Sequence, residues 1–384
     1  MRLSERRLRQ FRDDPVPLLT PNGRPNPAFI HRAPTRLLTP AQEIVTEVVA
    51  EVMARGVENL ERHWLQEALL EFETAIALMP EFPHAHWNRA QVLLMLGRYD
   101  EGFVEFDWRF KLFGDTLWHQ GVPVWCGEKL NGRRLLLWHE HGYGDTILLL
   151  RYLPVLLAMG APLTVAVPEP LRRLIRRQFD VEVLEEVPED FRRFAYRCPV
   201  CNLMPVMQRL HPKIPPAPYL ATAPCEQRNV IGVAWSGNRE NARDTFRSIY
   251  LGDLTAALEP FTRAGYELQS IQMQELEDAP QHGVTAVSYR DFADTADQLM
   301  TMRHIVTVDT AVAHLAGAIG HPSLHIIVPH VAYWPWYRVA EWYGTARLYR
   351  QPKPDDWDSV LAAVGANLTC GEGYRLAGER SMSF

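Results

Sequence analysis

The segment from Arg134 to Ile147 most restricts how this chain can fold. Leu135, Leu136, Leu137 and Trp138 make an apolar run of strand length. Gly142 and Gly144 let the backbone turn tightly after His139, and from Thr146 onward Ile147, Leu148, Leu149, Leu150, Tyr152 and Leu153 are apolar enough for a helix packed on a sheet. A buried strand that runs through a glycine turn into a helix is the unit of an open α/β sheet. Asp145 then sits in the crevice above the strand ends, where such sheets bind ligands. A second junction has the same build: Ile305 to Val308 reads as a buried strand, Asp309, Thr310 and Ala311 follow, and a helix runs on through His314 to Gly317. Two such junctions predict two α/β domains facing each other across a cleft.

The residues around each junction extend the pattern. From Arg133 to about Pro224 the order is strand 134–138, glycine turn, helix 146–159, strand 163–167, helix 169–178 and strand 181–184, then Phe194, Ala195 and Tyr196 leading to Cys198. Pro212, Pro215, Pro216, Pro218 and Pro224 form a stiff connection of the sort that separates domains. Beyond it, strand 229–235, turn 236–238, helix 251–264, strand 266–271, helix 295–302 and strand 305–308 lead to helix 311–319, strand 323–328, an aromatic segment 333–343 and a last helix 357–368.

Upstream the periodicity changes. Ile44, Val45, Val48, Val49, Val52 and Met53 recur at helical spacing, as do Leu65, Ala68, Leu69, Phe72, Ala75, Ile76 and Leu78 before Pro80. Glu67, Ala68 and Phe72 return as Glu101, Gly102 and Phe106, each displaced by 34 positions, the period of a tetratricopeptide repeat. Isolated repeats cannot bury their own faces, so these helices are expected to dock on the following domain or on copies from another subunit. A plain helical hairpin is the alternative. Residues 1 to about 40, rich in proline and arginine, have the composition of an extended arm, and the segment after Phe110 to Gly132 reads as a packed linker anchored by Trp118, Pro123, Trp125 and Leu130.

A net charge of -6 gives no reason to expect nucleic acid or an anionic membrane as partner. No apolar stretch is long enough to span a bilayer, and no signal-peptide core follows the basic N-terminus. Five scattered cysteines read as reduced thiols in a cytoplasmic protein. Cys198-Pro199-Val200-Cys201 lacks the second pair of a zinc knuckle, and His139-Glu140-His141 lacks the spacing of a helical zinc motif, so no metal is expected.

Asp309, Thr310 and Ala311 stand at a helix start, where free N–H groups and the positive dipole end can cradle a phosphate; the alternative is that they merely cap the helix. His314, one turn on, either reaches the same anion or is a packed helix histidine. Trp235, Ser236, Gly237 and Asn238 turn after the first strand of the second unit, and Arg247, beside apolar Phe246 and Ile249, is placed to neutralise a phosphate better than Arg243. Asp145 is the carboxylate best placed as a general base, or else a turn aspartate capping its helix. Tyr333, Trp334, Trp336, Tyr337, Trp342 and Tyr343 either stack on a sugar or base or form a packed corner of the sheet.

Taken together, the helical repeat running into Phe106-Asp107-Trp108-Arg109-Phe110, the run from Gly142 to Thr146 with Arg151-Tyr152-Leu153-Pro154, the run Val233 to Asn238, Arg247-Ser248-Ile249, Asp291 to Thr295, and Val308 to Gly317 resemble one bacterial family. These are the tetratricopeptide-repeat glycosyltransferases whose catalytic part is similar to lipopolysaccharide heptosyltransferases of the family 9 type. The resemblance implies an α/β GT-B fold, two Rossmann-like domains preceded by a short α-helical tetratricopeptide-like region. The boundaries expected are an arm at 1–40, helices at 41–116, an acceptor domain at 117–224, a nucleotide-sugar domain at 225–370 and a tail at 371–384. It implies an inverting transferase that takes a nucleotide sugar as substrate and needs no cofactor and no metal. Asp145 would be the base. Arg247 and the helix start at Asp309, Thr310 and Ala311 would bind the donor phosphate with His314. Gly144, Ser236, Gly237 and Asn238 would line the donor site, with Gln272 and Asp294 near the nucleotide. Partners implied are the nucleotide sugar, a protein acceptor held by the helices, and further copies of the chain. Two other readings stay open: a catalytically silent assembly module, and an epimerase that rearranges its nucleotide sugar without an acceptor.

Overall fold

The computed structural model describes residues 40–113, 121–160, 162–211, 213–239, 244–274 and 276–368. The expected arm, the tail, Trp118 and Arg243 lie outside them. The chain divides into two compact units: the helical region joined by Tyr333–Tyr337, and a larger unit that contains both sheets.

In the helical unit, α1 (Pro40–Glu61) and α2 (Leu65–Leu78) form one antiparallel pair, and α3 (Pro83–Met95) and α4 (Tyr99–Phe106) form the next, followed by the short α5 (Arg109–Phe113). Helix α1 runs through Gly56 without a break. It does so with Phe72 packed over the bare Cα: a Cβ at Gly56 would lie 2.6 Å from the Phe72 ring. Val49, Val52, Met53 and Val57 face the core with Ala68, Leu69, Phe72 and Ala75, whereas Val48 points to solvent. The 34-residue echo marks equivalent contacts: Ala68 and Gly102 are both buried, and a Cβ at Gly102 would lie 2.8 Å from Leu94. Within this unit Trp334 meets Phe103 edge-on at 5.5 Å, so this part of the aromatic segment packs on helices rather than at a sheet corner.

The larger unit holds two parallel sheets, as the alternating strands and helices predict. The first lobe runs β1 (Leu135–Trp138), α6 (Tyr143–Leu149), a 3-10 turn at Leu150–Tyr152, α7 (Leu153–Ala158), β2 (Leu163–Ala166), α8 (Glu169–Gln178), β3 (Glu182–Leu184), β4 (Tyr196–Pro199) and α9 (Leu203–Leu210). Its strand order is β3-β2-β1-β4. The expected helix 146–159 begins three residues earlier and breaks in two, because Pro154 has no amide with which to continue the ladder. The second lobe runs β5 (Arg228–Ala234), α10 (Asp244–Arg247), α11 (Leu251–Arg263), β6 (Glu267–Ser270), β7 (Val284–Thr285), α12 (Phe292–Thr301), β8 (Met302–Val308), α13 (Ala311–Ala318), β9 (Leu324–Val328), α14 (Val339–Trp342), β10 (Ala346–Arg350) and α15 (Trp357–Leu368). Its order, β7-β6-β5-β8-β9-β10, is the doubly wound arrangement whose direction of winding reverses between β5 and β8. The first sheet reverses between β1 and β4. At such a point neighbouring strands send their loops apart and leave a crevice at the carboxyl ends. Both junctions singled out in the sequence leave from these points.

One side chain joins the lobes at their centre. Arg151, almost fully buried, donates from Nε to Leu148 O at 2.8 Å, from Nη1 to Pro215 O at 3.1 Å and from Nη2 to Trp342 O at 3.2 Å. The rings of Tyr219, Trp342 and Tyr343 stand around its guanidinium. At the rim Arg173 of α8 pairs with Asp291 and Asp294 of the second lobe, and Arg177 with Asp297. Among the described residues no helix is long and apolar enough to cross a membrane. Arg151→Met strands three buried carbonyls, so a loss of roughly 2–4 kcal/mol is expected, read as a lower urea midpoint for the larger unit; an unchanged midpoint would contradict this role.

Candidate functional site

The turn after β1 is fixed from both sides. The His139 amide donates to Ala166 O at 2.9 Å, and its Nδ1 lies 2.7 Å from Thr146 Oγ1. Burial holds the His139 imidazole below its ordinary pKa, with Asp145 and Glu140 opposing the shift. Helix α6 opens at Tyr143, so Asp145 lies in its first turn, where Oδ2 accepts the Gly142 amide at 3.0 Å. The capping alternative is therefore realised, and it holds the half-buried carboxylate at the mouth of the helix.

In the second lobe the loop after β5 is framed by two side chains. Gln272 Oε1 accepts the amides of Trp235 at 3.1 Å and Ser236 at 3.3 Å, while Nε2 donates to Ser236 Oγ at 3.2 Å and Gln274 O at 2.7 Å. Asp244 is buried; its Oδ1 accepts the Gly237 amide at 3.0 Å and Arg247 Nε at 3.1 Å, and Oδ2 accepts Ser248 Oγ at 2.9 Å. Asp244 was not among the residues expected to matter. Its signal was its place three residues before Arg247, a spacing at which an acid meets an arginine on one helical face. A Cβ at Gly237 would lie 2.2 Å from Arg247 Nη2 and 2.4 Å from Asp244 Oδ1, so any larger residue there displaces this ion pair. Asn238 is exposed.

Arg247 then reaches the second junction, where Nη1 donates to Asp309 O at 2.7 Å. Thr310 is the extended residue before α13, with its hydroxyl 3.3 Å from Thr307 Oγ1. The first amides of α13, at Ala311 and Val312, point along the helix axis with no carbonyl of the helix behind them. Arg247, Asp309, Thr310 and Ala311 thus meet at one corner, where the Arg247 guanidinium is paired with Asp244 and held by the Asp309 carbonyl.

The two corners meet because α6 packs against α13. A Cβ on Gly144 would lie 2.7 Å from His314 Cδ2 and 3.5 Å from the Cα of Ala311. His314 is buried between them, with Nδ1 2.9 Å from Tyr343 Oη. Burial pushes its pKa down to about 4; Asp145 opposes this, and Arg151 and Arg247 add to it. His314 is thus a packed helix histidine, its ring held by Tyr343 between the two helix starts. Asp294 stands apart from this cluster, its carboxylate engaged by Arg173 and, at 3.4 Å, by Arg290.

No family model matches the chain. Protein FlbA of Caulobacter vibrioides is 31% identical over 134 residues, 33% of this chain, and the chain spans 22% of that relative's length. Among solved structures, the E. coli heptosyltransferase WaaC with ADP is similar with a TM-score of 0.48 and 12% identity, over 62% of this chain and 99% of WaaC. The family 9 glycosyl transferase from Veillonella parvula gives 0.44 and 11%, over 62% of this chain and 95% of its own.

The state of His314 makes stability depend on pH. Its folded pKa of about 4 lies below the ordinary 6.5, so the unfolded chain takes up the proton first, and stability present above 6.5 is lost as the pH falls towards 4. His304 and His325, which share the Ser323 hydroxyl, act in the same sense, burial holding them to about 4 and about 3. Urea unfolding across this window is expected to show a smaller loss in His314→Gln than in the wild type, by roughly 2–3 kcal/mol; parallel curves would mean that His314 is not held neutral.

Proposed function

We propose that the chain transfers a sugar from a nucleotide-sugar donor to a hydroxyl of a protein or glycan, with inversion at the anomeric carbon and no metal ion at the diphosphate. The observation that carries this reading is the meeting of the two helix starts, where Gly144 of α6 lies against Ala311 and His314 of α13. A single displacement needs a base on the acceptor side of the anomeric carbon and a cationic sink on the side of the departing phosphate. Asp145, in the first lobe, takes the acceptor proton. Arg247 and the amides at the start of α13, in the second lobe, receive the charge of the leaving diphosphate. The motif resemblance supports the same division of labour.

The remaining assignments follow from position. Ser236, Gly237 and Asn238 border the crevice between β5 and β8 and are assigned to the nucleotide. Gln272 acts through the loop it holds, because its amide group is occupied by Trp235, Ser236 and Gln274. Asp309 offers its carbonyl to Arg247, and so orients that guanidinium. Asp294 is assigned to the edge of the nucleotide site on the resemblance.

A thermal-shift screen of nucleoside diphosphates, CMP and nucleotide sugars identifies the donor class; stabilisation by none of them would favour a silent module. With the donor known, Asp145→Asn is expected to lower labelled-sugar transfer by about 10²–10⁴-fold while donor binding stays within about twofold. Transfer at the wild-type rate would remove Asp145 as the base.

A further inference from the structure

Two sequence fragments that each look incomplete as ligand sets are brought together by the fold. Strands β1 and β4 are parallel neighbours, with Leu137 opposite Cys198 and Trp138 opposite Pro199. The carboxyl ends of these two strands therefore lie side by side where the first sheet reverses. Strand β4 passes directly into a 3-10 turn, Val200–Asn202, which carries Cys201. The Cys201 amide donates to Glu140 Oε1 at 3.1 Å, which draws the β1 loop onto this turn. His141 follows, with a left-handed φ of 59°. As a result one ligand atom each from Glu140, His141 and Cys201 lie within 4.8 Å of one another. Among the described residues no other trio of histidine, cysteine, aspartate or glutamate comes so close.

We propose that Glu140, His141 and Cys201 bind a single borderline-soft divalent cation, for which a zinc ion is the best match. A carboxylate oxygen, an imidazole nitrogen and a thiolate are the donor types zinc takes, whereas magnesium and calcium select oxygen alone. Ligand atoms around tetrahedral zinc stand roughly 3.3–3.8 Å apart, so the trio, already within 4.8 Å, has to close by at most about 1.5 Å. His141 is exposed and supplies that movement by turning its ring; buried Cys201 and half-buried Glu140 form the fixed side. Water completes the fourth position on the His141 side. Cys201 binds as the thiolate and its proton leaves to solvent. Cys198 belongs to the tempting Cys-x-x-Cys pair but is not in the trio; its Sγ donates to Pro199 O at 3.2 Å. The bound ion ties the β1 loop to the end of β4, just ahead of the helix turn that carries Asp145. This inference does not rest on the proposed glycosyl transfer.

The test uses the full chain with Cys126, Cys225 and Cys370 replaced by serine, stripped of metal by a chelator and titrated with cobalt(II). One equivalent is expected to bind, with a thiolate-to-cobalt charge-transfer band and the visible bands of a tetrahedral ion, both abolished by one equivalent of zinc. His141→Asn leaves the fold alone, because asparagine tolerates the left-handed backbone and the side chain is exposed; it is expected to weaken cobalt binding at least tenfold with an unchanged melting temperature of the metal-free chain. Cys201→Ser is expected to lose the charge-transfer band. Absence of stoichiometric binding overturns the proposal, as does parental affinity in His141→Asn. A band that disappears in Cys198→Ser but survives in Cys201→Ser overturns it too.

Discussion

A Cβ at residue 144 would sit 2.7 Å from Cδ2 of His314, well inside van der Waals contact, and the geometry of the candidate site follows from its absence. Because the backbone of α6 can lie directly on α13, two helix starts from two different sheets occupy one region. A helix start gathers unpaired amides and the positive end of a dipole. The first lobe offsets its own with the Asp145 carboxylate. The second sets its own beside Arg247, which is paired with Asp244.

The contact persists because the layers behind it are held as well. Arg151 draws carbonyls from α6, from the proline-rich connection and from the end of α14 onto one guanidinium. Tyr219 Oη donates to Ile147 O at 2.9 Å on the same side. A buried cation without a carboxylate partner is costly to desolvate, and hydrogen bonds to carbonyls together with the faces of aromatic rings are what offset that cost here. Asp244 and Gln272 perform the corresponding task for the loop after β5, so Arg247 is aimed by residues that need touch no ligand. The crevice positions come from strand order, and the aim of each side chain comes from this supporting layer.

Much of this was legible in the chain and some was not, for physical reasons. Strands buried on both faces and closed by glycine turns declare themselves, and both junctions appear where the sequence put them. The edge strand β10 does not: Ala346 to Arg350 carries Arg347 and Arg350 around a single well-buried Tyr349, a pattern that reads equally as loop. The start of α6 was placed three residues late because Gly144 looks like turn, although here it serves close packing inside a helix. Asp145, Arg247, Thr310, Ala311 and His314 are candidates by position relative to strand ends, and the structure brings the segments that carry them together. Partnerships across long separations, such as Arg173 with Asp291 and Asp294 or Glu140 with Cys201, carry no sequence signal, since each depends on which strand lies beside which. Val48 was given to the core by periodicity alone, yet it lies on the outer flank of α1.

The proposed function requires that the mouths of α6 and α13 serve a single bound molecule. Its most direct test is a crystal structure of the chain with the nucleoside diphosphate that stabilises it most. The phosphates are expected on the amides of Ala311 and Val312 and on the Arg247 guanidinium, with the terminal phosphate directed towards Asp145. A diphosphate bound elsewhere, or one bound at α13 with its terminal phosphate turned away from Asp145, would contradict it.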